Sequence, residues 1–373
     1  MNQPNAPKRF KPHIEALQRY QTSTGRDIDG LRLDRNERVA PLPPEVVADI
    51  MSRFTPADLA AHPESAPFYG KLASFLGVDE DHLYVTNGIT EGINFLYFTL
   101  TAPGDNVVVL DPTYPMYGVY ARLNALDYRP FGYTADLLPD WATLERQVDA
   151  GTALIIVANP NLPVESSFRR DEVRRLATIA ARVGAFLVVD EAYHYFGAET
   201  VIDLVDEIDN LIVLRTFSKA FGLASARVGF MVASPRNIEY IAKTRSLVES
   251  NTYSMRICEY MLDHPEIMRT HVSDVAAGAA VLKQGLAKLG FRSHGGEVTN
   301  GILVFIGATG APEDCVKFLR ARNIYIRGGF NGPFAECVRI SIGRPVDMAQ
   351  LLSALQEWTE SCRTSFMVQG VSE

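Results

Sequence analysis

The chain has 373 residues, 47% of them hydrophobic and 21% charged, proportions that exclude a disordered or collagen-like protein. Its net charge is -8 and no long basic run stands out, so we expect no nucleic-acid partner. The 4 cysteines form no C-x-x-C pair, which argues against a zinc site or a disulfide scaffold and fits a reducing compartment. The first residues lack the apolar core of a secretory signal, and the apolar runs are too short to span a membrane. We therefore expect a cytoplasmic protein with no membrane partner.

Strands and helices alternate through the middle of the chain. Short, nearly continuous apolar runs predict strands that are covered on both faces, at 83–85, 106–110, 154–157, 186–189, 211–214 and 228–232. A helix is predicted over 170–182, with Asp171 and Glu172 in its first turn and Gly184 just past its end. This alternation predicts an α/β fold with a mostly parallel, doubly wound sheet.

The last third of the chain has shorter elements and more connections. We predict helices at 275–289 and 348–358, and strands at 301–307, 324–327 and 337–342. These elements indicate a smaller α+β domain. A long helix from Asn237 to about Ser250 is expected to mark the boundary between the two. The large domain is then 31–245, and the small domain combines 1–30 with 246–373.

Polar residues follow the predicted strands at the points where the strands end. Ligands of doubly wound sheets bind outside the carboxyl ends of the strands, so we expect these residues to meet in one crevice. They are Asn87-Gly88-Ile89-Thr90, Asp111-Pro112-Thr113-Tyr114, Asn159-Pro160-Asn161-Leu162-Pro163, Asp190-Glu191-Ala192-Tyr193 and Arg215-Thr216-Phe217-Ser218-Lys219. The crevice would combine an acid, a lysine, hydroxyl groups, an aromatic ring and a helix N-terminus.

These residue types suit pyridoxal 5'-phosphate. The helix N-terminus after Gly88 offers free amides to a phosphate, which Thr216, Ser218 and Arg227 can also bind. Lys219 can form a Schiff base with an aldehyde, Asp190 can pair with a protonated ring nitrogen, and Tyr114 can stack on the ring. Taken singly, each residue has a plainer interpretation as a solvated lysine, a helix cap, a turn glycine or a core tyrosine. Their combination in this chain order favours the cofactor.

Several longer motifs resemble those of a known family. They are Leu33-Asp34-Arg35-Asn36-Glu37, Asp111-Pro112-Thr113-Tyr114-Pro115-Met116-Tyr117, Asp190-Glu191-Ala192-Tyr193, and Arg215-Thr216-Phe217-Ser218-Lys219-Ala220-Phe221-Gly222-Leu223-Ala224 with Arg227-Val228-Gly229. With them the chain resembles the fold-type I pyridoxal-phosphate enzymes, specifically the class I/II aminotransferases and their histidinol-phosphate branch. The likeness covers about residues 14 to 357.

The resemblance implies a role for each matching residue. Lys219 would carry the Schiff base and move the proton, Asp190 would hold the ring nitrogen protonated, and Tyr193 would bond the phenolic oxygen. Further cofactor contacts are implied for Gly88, Ile89, Thr90, Tyr114, Asn159, Asn161, Thr216, Ser218 and Arg227. Substrate contacts are implied for Tyr20, Asn36, Arg327 and Arg339. The resemblance also implies anionic small-molecule substrates and a homodimer with shared active sites.

The sequence departs from the family pattern at three places. Leu162 stands where the family has an asparagine that bonds the phenolic oxygen, so only Tyr193 is expected to stabilise it. His62 stands where the family has a tyrosine that reaches the partner subunit's cofactor phosphate; His62 or Tyr69 is a candidate replacement. Arg344 replaces a common threonine, and either extends an anion site or faces solvent.

Four functions are open to a chain with this sequence pattern. The first is an aminotransferase with ping-pong exchange between an amino donor, such as glutamate or histidinol phosphate, and an oxo acid or ketone. The second keeps the cofactor but decarboxylates a phosphorylated amino acid, as threonine-phosphate decarboxylases do. A non-catalytic binding module is disfavoured by the intact Lys219 and Asp190. A nicotinamide dehydrogenase is disfavoured because no G-x-G-x-x-G follows a predicted strand.

Overall fold

The structure, a computed structural model, describes residues 10–17, 30–245 and 247–369. Within these ranges the strands are β1 (Leu31–Arg32), β2 (Leu83–Thr86), β3 (Asn106–Leu110), β4 (Asp127–Phe131), β5 (Thr152–Ala158), β6 (Phe186–Asp190), β7 (Leu211–Thr216), β8 (Gly229–Ala233), β9 (Arg292–Gly295), β10 (Gly301–Phe305), β11 (Ile324–Tyr325) and β12 (Cys337–Ser341). All the strands predicted from apolar runs are therefore confirmed, with ends that shift by a few residues.

The helices of the described ranges are α1 (Pro12–Glu15), α2 (Pro44–Ser52), α3 (Ala57–Ala60), α4 (Ala66–Leu76), α5 (Ile89–Leu100), α6 (Met116–Leu123), α7 (Trp141–Gln147), α8 (Arg170–Ala181), α9 (Pro235–Ala242), α10 (Thr252–Asp263), α11 (Pro265–Lys288), α12 (Pro312–Arg320) and α13 (Pro345–Gln369). Short 3-10 turns lie at Glu80–His82, His194–Phe196, Ile202–Asp206 and Gly332–Phe334. Helix α8 begins as its sequence predicts, because the Glu172 carboxylate accepts a hydrogen bond from the backbone N–H of Arg169 at 2.8 Å. No helix in the described part of the chain is long and apolar enough to cross a membrane.

The long helix predicted from Asn237 to about Ser250 is wrong. Helix α9 ends at Ala242, and the Thr244 hydroxyl donates to the carbonyl of Ile241 at 3.1 Å. A separate helix, α10, begins after Asn251, whose side chain accepts a hydrogen bond from Ser254 N at 2.9 Å. Local side-chain bonds of this kind compete with the helical ladder, so they divide a segment whose apolar pattern is continuous.

A seven-stranded sheet forms the centre of the molecule, in the order β2-β8-β7-β6-β5-β3-β4. Strands β4, β3, β5, β6 and β7 run parallel, while β8 is antiparallel to both β7 and β2. Alternate strand residues enter two different hydrophobic clusters, for example Val108 on one face and Val109 on the other. The sheet is thus covered on both faces, which explains why its strands are apolar without alternation.

The chain reverses its direction across the sheet between β3 and β5. After β3 it adds β4 at one edge, and then it returns to place β5 on the other side of β3. Such a reversal opens a crevice at the carboxyl ends of the two strands, where doubly wound proteins bind their ligands.

A smaller sheet lies in the last third of the chain. Strands β9, β10 and β12 form an antiparallel sheet, and β1 pairs with β11 in parallel. Helices α11 and α13 pack against each other beside it. This agrees with the expected α+β module, while the domain boundary at residue 245 stays a prediction. Helix α10 lies beyond that boundary and packs on α4.

Candidate active site

One large cleft, of about 1550 Å³, opens at the carboxyl ends of the central strands and is closed on its far side by residues of the smaller sheet. Its walls include most of the residues that the sequence singles out. These are Asn36, Ile89, Thr90, Tyr114, Asn161, Asp190, Tyr193, Thr216, Ser218, Lys219, Arg227, Arg327 and Arg339. The convergence expected from the strand ends is therefore present in the structure.

Lys219 lies in the turn that follows β7, and its amine is held from the opposite wall. The Nζ atom donates to the backbone oxygen of Asn36 at 3.2 Å and lies 5.5 Å from the centroid of the Tyr193 ring. Asn36 has a φ of 53° and is fixed by two bonds: its N–H donates to Ser341 Oγ at 2.7 Å, and its side-chain amide donates to the Tyr193 hydroxyl at 2.9 Å. Lys219, Asn36 and Tyr193 thus form one connected group.

Asp190 is the last residue of β6 and is buried at the floor of the cleft, with 4% of its surface exposed. Its carboxylate accepts hydrogen bonds from the Tyr117 hydroxyl at 2.7 Å and from the backbone N–H of Ala192 at 2.9 Å. Burial raises the pKa of Asp190 to about 6, although the two hydrogen bonds and Lys219 act in the opposite direction. A cationic ring nitrogen beside this carboxyl would lower its pKa again, because the ion pair favours the charged form.

The start of helix α5 forms an anion cradle. Gly88 has a φ of 79°, and a Cβ atom there would lie 2.4 Å from Nη2 of Arg227, so the guanidinium approaches the backbone as only glycine allows. The Thr216 hydroxyl donates to Ser218 Oγ at 3.0 Å, and Thr90 Oγ1 lies 2.8 Å from the Tyr114 hydroxyl. Free helix amides, a guanidinium and several hydroxyl groups are the donors that a phosphate requires.

The segment 159–165 gives a different result from the one expected. Asn159 does not line the cleft: its side chain accepts from Phe168 N at 2.8 Å and donates to Phe168 O at 3.1 Å. Asn161 lines the cleft, but its amide nitrogen donates to Pro112 O and to the Tyr133 hydroxyl, and its oxygen accepts from Thr113. These bonds shape the loop, and the cofactor contacts of Asn159 and Asn161 stay predictions.

Leu162 borders the cleft from the same segment. Its side chain is buried, and its Cδ1 atom lies 2.9 Å from where a Cβ on Gly301 would be. The place of the family's asparagine is therefore filled by an apolar side chain packed on the smaller sheet. Tyr193 remains as the hydroxyl donor of this wall, as the sequence predicts for the phenolic oxygen.

The other departures from the family pattern have definite positions. His62 is exposed and is not part of the cleft within one protomer. The Tyr69 hydroxyl accepts from Val85 N at 2.9 Å, which makes it an unsuitable replacement for a tyrosine that reaches a partner. Arg344 pairs with Asp347 at the start of α13 and does not extend an anion site in the cleft. Tyr20 lies outside the described residues.

Two arginines line the cleft close to each other: Arg339 lies in β12, and Arg327 lies just beyond the end of β11. Arg327 and Arg339 are directly opposite each other, with the Arg327 N–H donating to Arg339 O at 3.0 Å and the Arg339 N–H donating to Arg327 O at 2.7 Å. Residues opposite each other in an antiparallel pair project their side chains from the same face, and like charges there repel. The Arg339 guanidinium also donates to the backbone oxygen of Asp34 at 2.5 Å, and guanidinium groups placed in this way suit a carboxylate or a phosphate.

Some residues of the site were not singled out by sequence reasoning. Tyr117, which bonds Asp190, stands in one of the quoted motifs, so its spacing could have indicated a role. Asn300 donates to Asn36 O at 3.1 Å and Ser341 accepts from Asn36 N, but neither belongs to a motif that sequence spacing connects to the lysine. Their roles depend on contacts across 264 and 305 residues of chain.

The residues of the cleft fit a ligand with three separate groups. A phosphate fits the cradle at α5, where a Cβ on Gly88 would fill the space that Arg227 occupies. An aldehyde fits the amine of Lys219, and a basic ring nitrogen fits the buried carboxyl of Asp190. These are three of the four polar groups of pyridoxal 5'-phosphate, and the fourth is its phenolic oxygen.

Comparison with known proteins agrees with this chemistry. The family model for aminotransferase class I and II matches residues 41–355. A histidinol-phosphate aminotransferase of Chromobacterium violaceum is 30% identical over 362 residues, covering 93% of this chain and 97% of the relative. One of Pyrococcus furiosus is 28% identical over 333 residues, covering 89% and 93%.

Solved structures share the fold. The histidinol-phosphate aminotransferase of Sinorhizobium meliloti in complex with pyridoxal-5'-phosphate has a TM-score of 0.83 at 23% identity, covering 95% of this chain and 99% of that one. An aspartate aminotransferase of Thermus thermophilus has a TM-score of 0.77 at 17% identity, covering 94% and 99%. With the family match over most of the chain, the protein belongs to the class I and II aminotransferases and is a fold-type I, pyridoxal-phosphate-dependent enzyme.

Proposed function

We propose that this aminotransferase takes nitrogen from an amino donor that carries a phosphate or a carboxylate, such as histidinol phosphate or glutamate, and gives it to an oxo acid or ketone. The observation that carries the proposal is the position of Arg327 directly opposite Arg339 in the cleft that also contains Lys219. Two planar guanidinium groups that line one cleft side by side suit a carboxylate or a phosphate. The similarity to histidinol-phosphate aminotransferases supports the phosphorylated donor.

We assign one task to each of the main residues that line the cleft. The bound cofactor supplies an electron sink for the Cα–H bond of the amino donor. Lys219 holds the cofactor and carries the proton, since its amine is the basic group between Asn36 and Tyr193. Asp190 keeps the ring nitrogen charged, Tyr193 donates to the phenolic oxygen, and Tyr114 stacks on the ring.

Phosphate and substrate contacts complete the proposal. The α5 start (Gly88, Ile89 and Thr90), with Thr216, Ser218 and Arg227, holds the cofactor phosphate. Asn36 and the two arginines orient the substrate. We also propose that the enzyme is a cytoplasmic homodimer in which His62 reaches the partner's cleft, because His62 is exposed and lies away from the cleft of its own protomer.

A half-reaction with the holoenzyme tests the function. Glutamate, histidinol phosphate, phosphoserine and threonine phosphate are each added without an acceptor, and the visible absorbance and carbon dioxide are followed. We expect one donor to convert the cofactor to its amine form without carbon dioxide, whereas carbon dioxide release would support the decarboxylase alternative. Lys219→Ala should lose covalent cofactor attachment, and Lys243→Ala, at an exposed lysine, should retain it.

The anion assignment has its own test. Arg339→Gln should raise the KM of the active donor by about tenfold or more, because it removes a bidentate charged donor. The rise should be much smaller for a donor analogue that lacks the anionic group. An equal change for both donors would contradict the assignment of Arg339 to the anion.

A further inference from the structure

Glu165 is a buried carboxylate for which the proposed function gives no role. It ends the segment that carries Leu162, and 9% of its surface is exposed. Its Oε2 atom accepts from Gly296 N at 3.1 Å and from the Thr299 hydroxyl at 2.6 Å, and its Oε1 atom accepts from Glu297 N at 3.0 Å. These partners all belong to the turn between β9 and β10, more than 130 residues further along the chain.

That turn is shaped around the carboxylate. Gly295 and Gly296 have φ angles of 97° and 77°, which glycine adopts readily, and the successive N–H groups of Gly296 and Glu297 both donate to the carboxylate. Val298 N also donates to Glu165, at 3.3 Å, and Nε2 of His294 donates to the Glu165 backbone oxygen at 2.7 Å. Burying a carboxylate is costly, so this set of donors offsets a loss of hydration that an apolar residue would not incur.

The same turn leads directly to the amine of Lys219. Thr299 is followed by Asn300, which is fully buried and donates to the backbone oxygen of Asn36 at 3.1 Å. That oxygen also accepts from Lys219 Nζ at 3.2 Å. The Glu165 bonds therefore fix the turn that holds Asn300 against the oxygen to which the lysine is bonded.

We propose that Glu165 is a positioning residue, which fixes the 294–300 turn and thereby holds Asn300, Asn36 and the Lys219 amine in their working arrangement. Glu165 does not line the cleft, so it acts through these groups and not on the substrate. The proposal rests on the proposed function only in taking Lys219 as the residue that binds the cofactor. The proposal also explains why position 165 is a glutamate. The carboxylate of a shorter side chain would not reach the hydrogen-bond donors of the turn.

The first test replaces the carboxylate by an amide. Glu165→Gln keeps the size of the side chain but replaces one carboxylate oxygen by an NH2 group, which cannot accept from the backbone N–H groups and the Thr299 hydroxyl around it. With pyridoxal 5'-phosphate as the probe and no substrate present, we expect the pH midpoint of the visible absorbance to move by about half a unit or more. We also expect kcat to fall by about tenfold while the KM of the donor changes little, since the amine moves and the arginines do not.

A second pair of variants keeps the test valid if Glu165→Gln folds poorly. Thr299→Val removes the shortest bond to Glu165, and Thr299→Ser retains it, so the serine variant should recover the wild-type midpoint and the valine variant should not. Glu313→Gln, which removes an exposed carboxylate in the first turn of α12, is the control. Thermal unfolding of each variant identifies a general loss of structure.

The outcomes separate this proposal from the proposed function. An unchanged midpoint and kcat in a folded Glu165→Gln or Thr299→Val variant would overturn the positioning role. A wild-type enzyme inactive with all four donors would overturn the proposed substrates, but the substrate-free midpoints would still test Glu165.

Discussion

Asp190 is the residue whose ionisation depends most on the cofactor. Without the cofactor, burial raises its pKa to about 6, well above the usual value of 3.8. The folded chain therefore binds a proton more tightly than the unfolded chain between about pH 4 and pH 6, so this carboxyl lowers stability as pH rises through that window. The loss is complete and constant only about one pH unit above 6.

This environment predicts how Asp190→Asn behaves in cofactor-free protein. The amide cannot ionise, and it can still accept from Ala192 N and donate to the Tyr117 hydroxyl. Relative to wild type, the free energy of unfolding of the variant should rise by on the order of 1 kcal/mol between pH 5 and pH 8. Urea unfolding at the two pH values measures it.

The control for this prediction is Asp136→Asn, at an exposed carboxyl. Its difference from wild type should stay nearly flat over the same pH range. Cofactor affinity should change in the opposite sense to stability. Asp190→Asn should bind the cofactor more weakly than Asp136→Asn, because it loses the charged partner of the ring nitrogen. If the free energy of unfolding of Asp190→Asn, relative to wild type, is no higher at pH 8 than at pH 5, burial does not control the pKa of Asp190.

Leu162 supports a second prediction at the scale of one residue. Leu162→Asn places an amide N–H where the structure has a buried leucine at the border of the cleft. An N–H bond to the phenolic oxygen of the cofactor withdraws negative charge that stabilises the protonated Lys219 linkage, so the pH midpoint of the visible absorbance should fall. Spectra of the holoenzyme across a pH series measure it.

Leu137→Asn is the matched control for the Leu162 variant. Leu137 also lines the cleft, and its φ of 62° is one that asparagine accepts readily. It packs against the small apolar cluster that contains Leu303 and Phe334, and its replacement should leave the midpoint unchanged. A fall in both variants would indicate a general change in cleft polarity and not a bond at position 162.

At the scale of elements, the start of α5 is the most constrained part of the site. Gly88→Ala requires a side chain at a φ of 79° and 2.4 Å from Arg227 Nη2. We expect a loss of stability of about 1 kcal/mol from the backbone alone and a loss of cofactor affinity of tenfold or more, because the guanidinium must move. Equilibrium dialysis with pyridoxal 5'-phosphate measures the affinity.

Gly77 provides a control with the same backbone conformation. It ends α4 with a φ of 72°, and nothing lies within 4 Å of the place a Cβ would take. Gly77→Ala should therefore lose similar backbone stability and retain the affinity for the cofactor. Equal loss of affinity in both variants would show that the cradle depends on general stability and not on the approach of Arg227.

Elements differ in how far the sequence could predict them. The central strands were predictable because burial on both faces makes them continuously apolar, and Asp190 and Lys219 were predictable because they follow strand ends. The break between α9 and α10 was not, because it depends on side-chain bonds of Thr244 and Asn251 that leave the apolar pattern unchanged. The bonds of Asn159 to Phe168 could not be predicted for a similar reason, because they leave no periodic signal in the sequence.

At the scale of the whole molecule, the active site depends on contacts between distant parts of the chain. The strand ends of the central sheet supply Asp190 and Lys219, while the last third of the chain supplies the two arginines and the residues that hold Asn36. The apolar patterns of the sequence predict the large α/β sheet and the smaller α+β module, each by itself. The bonds between them cross up to 305 residues and could be found only in the structure.

The surface around the end of α9 leads to the prediction of a homodimer. Phe98 on α5 is 66% exposed and Leu247 is 91% exposed. The Thr99 and Thr244 hydroxyls are 2.9 Å apart, which brings the two segments that carry these apolar side chains together. Exposed apolar side chains of this size on neighbouring segments indicate an association site.

We expect sedimentation to give about twice the chain mass of 41.2 kDa, because pairing would bury these side chains. The double variant Phe98→Glu with Leu247→Glu should sediment as single chains, since charges are strongly unfavourable at the centre of an interface. Val346→Glu, at an exposed valine of α13, should remain paired. If the double variant stays paired, the interface lies elsewhere. If the wild-type protein is monomeric at all concentrations, His62 cannot reach a partner's cleft. The cofactor phosphate then depends on the residues of one protomer.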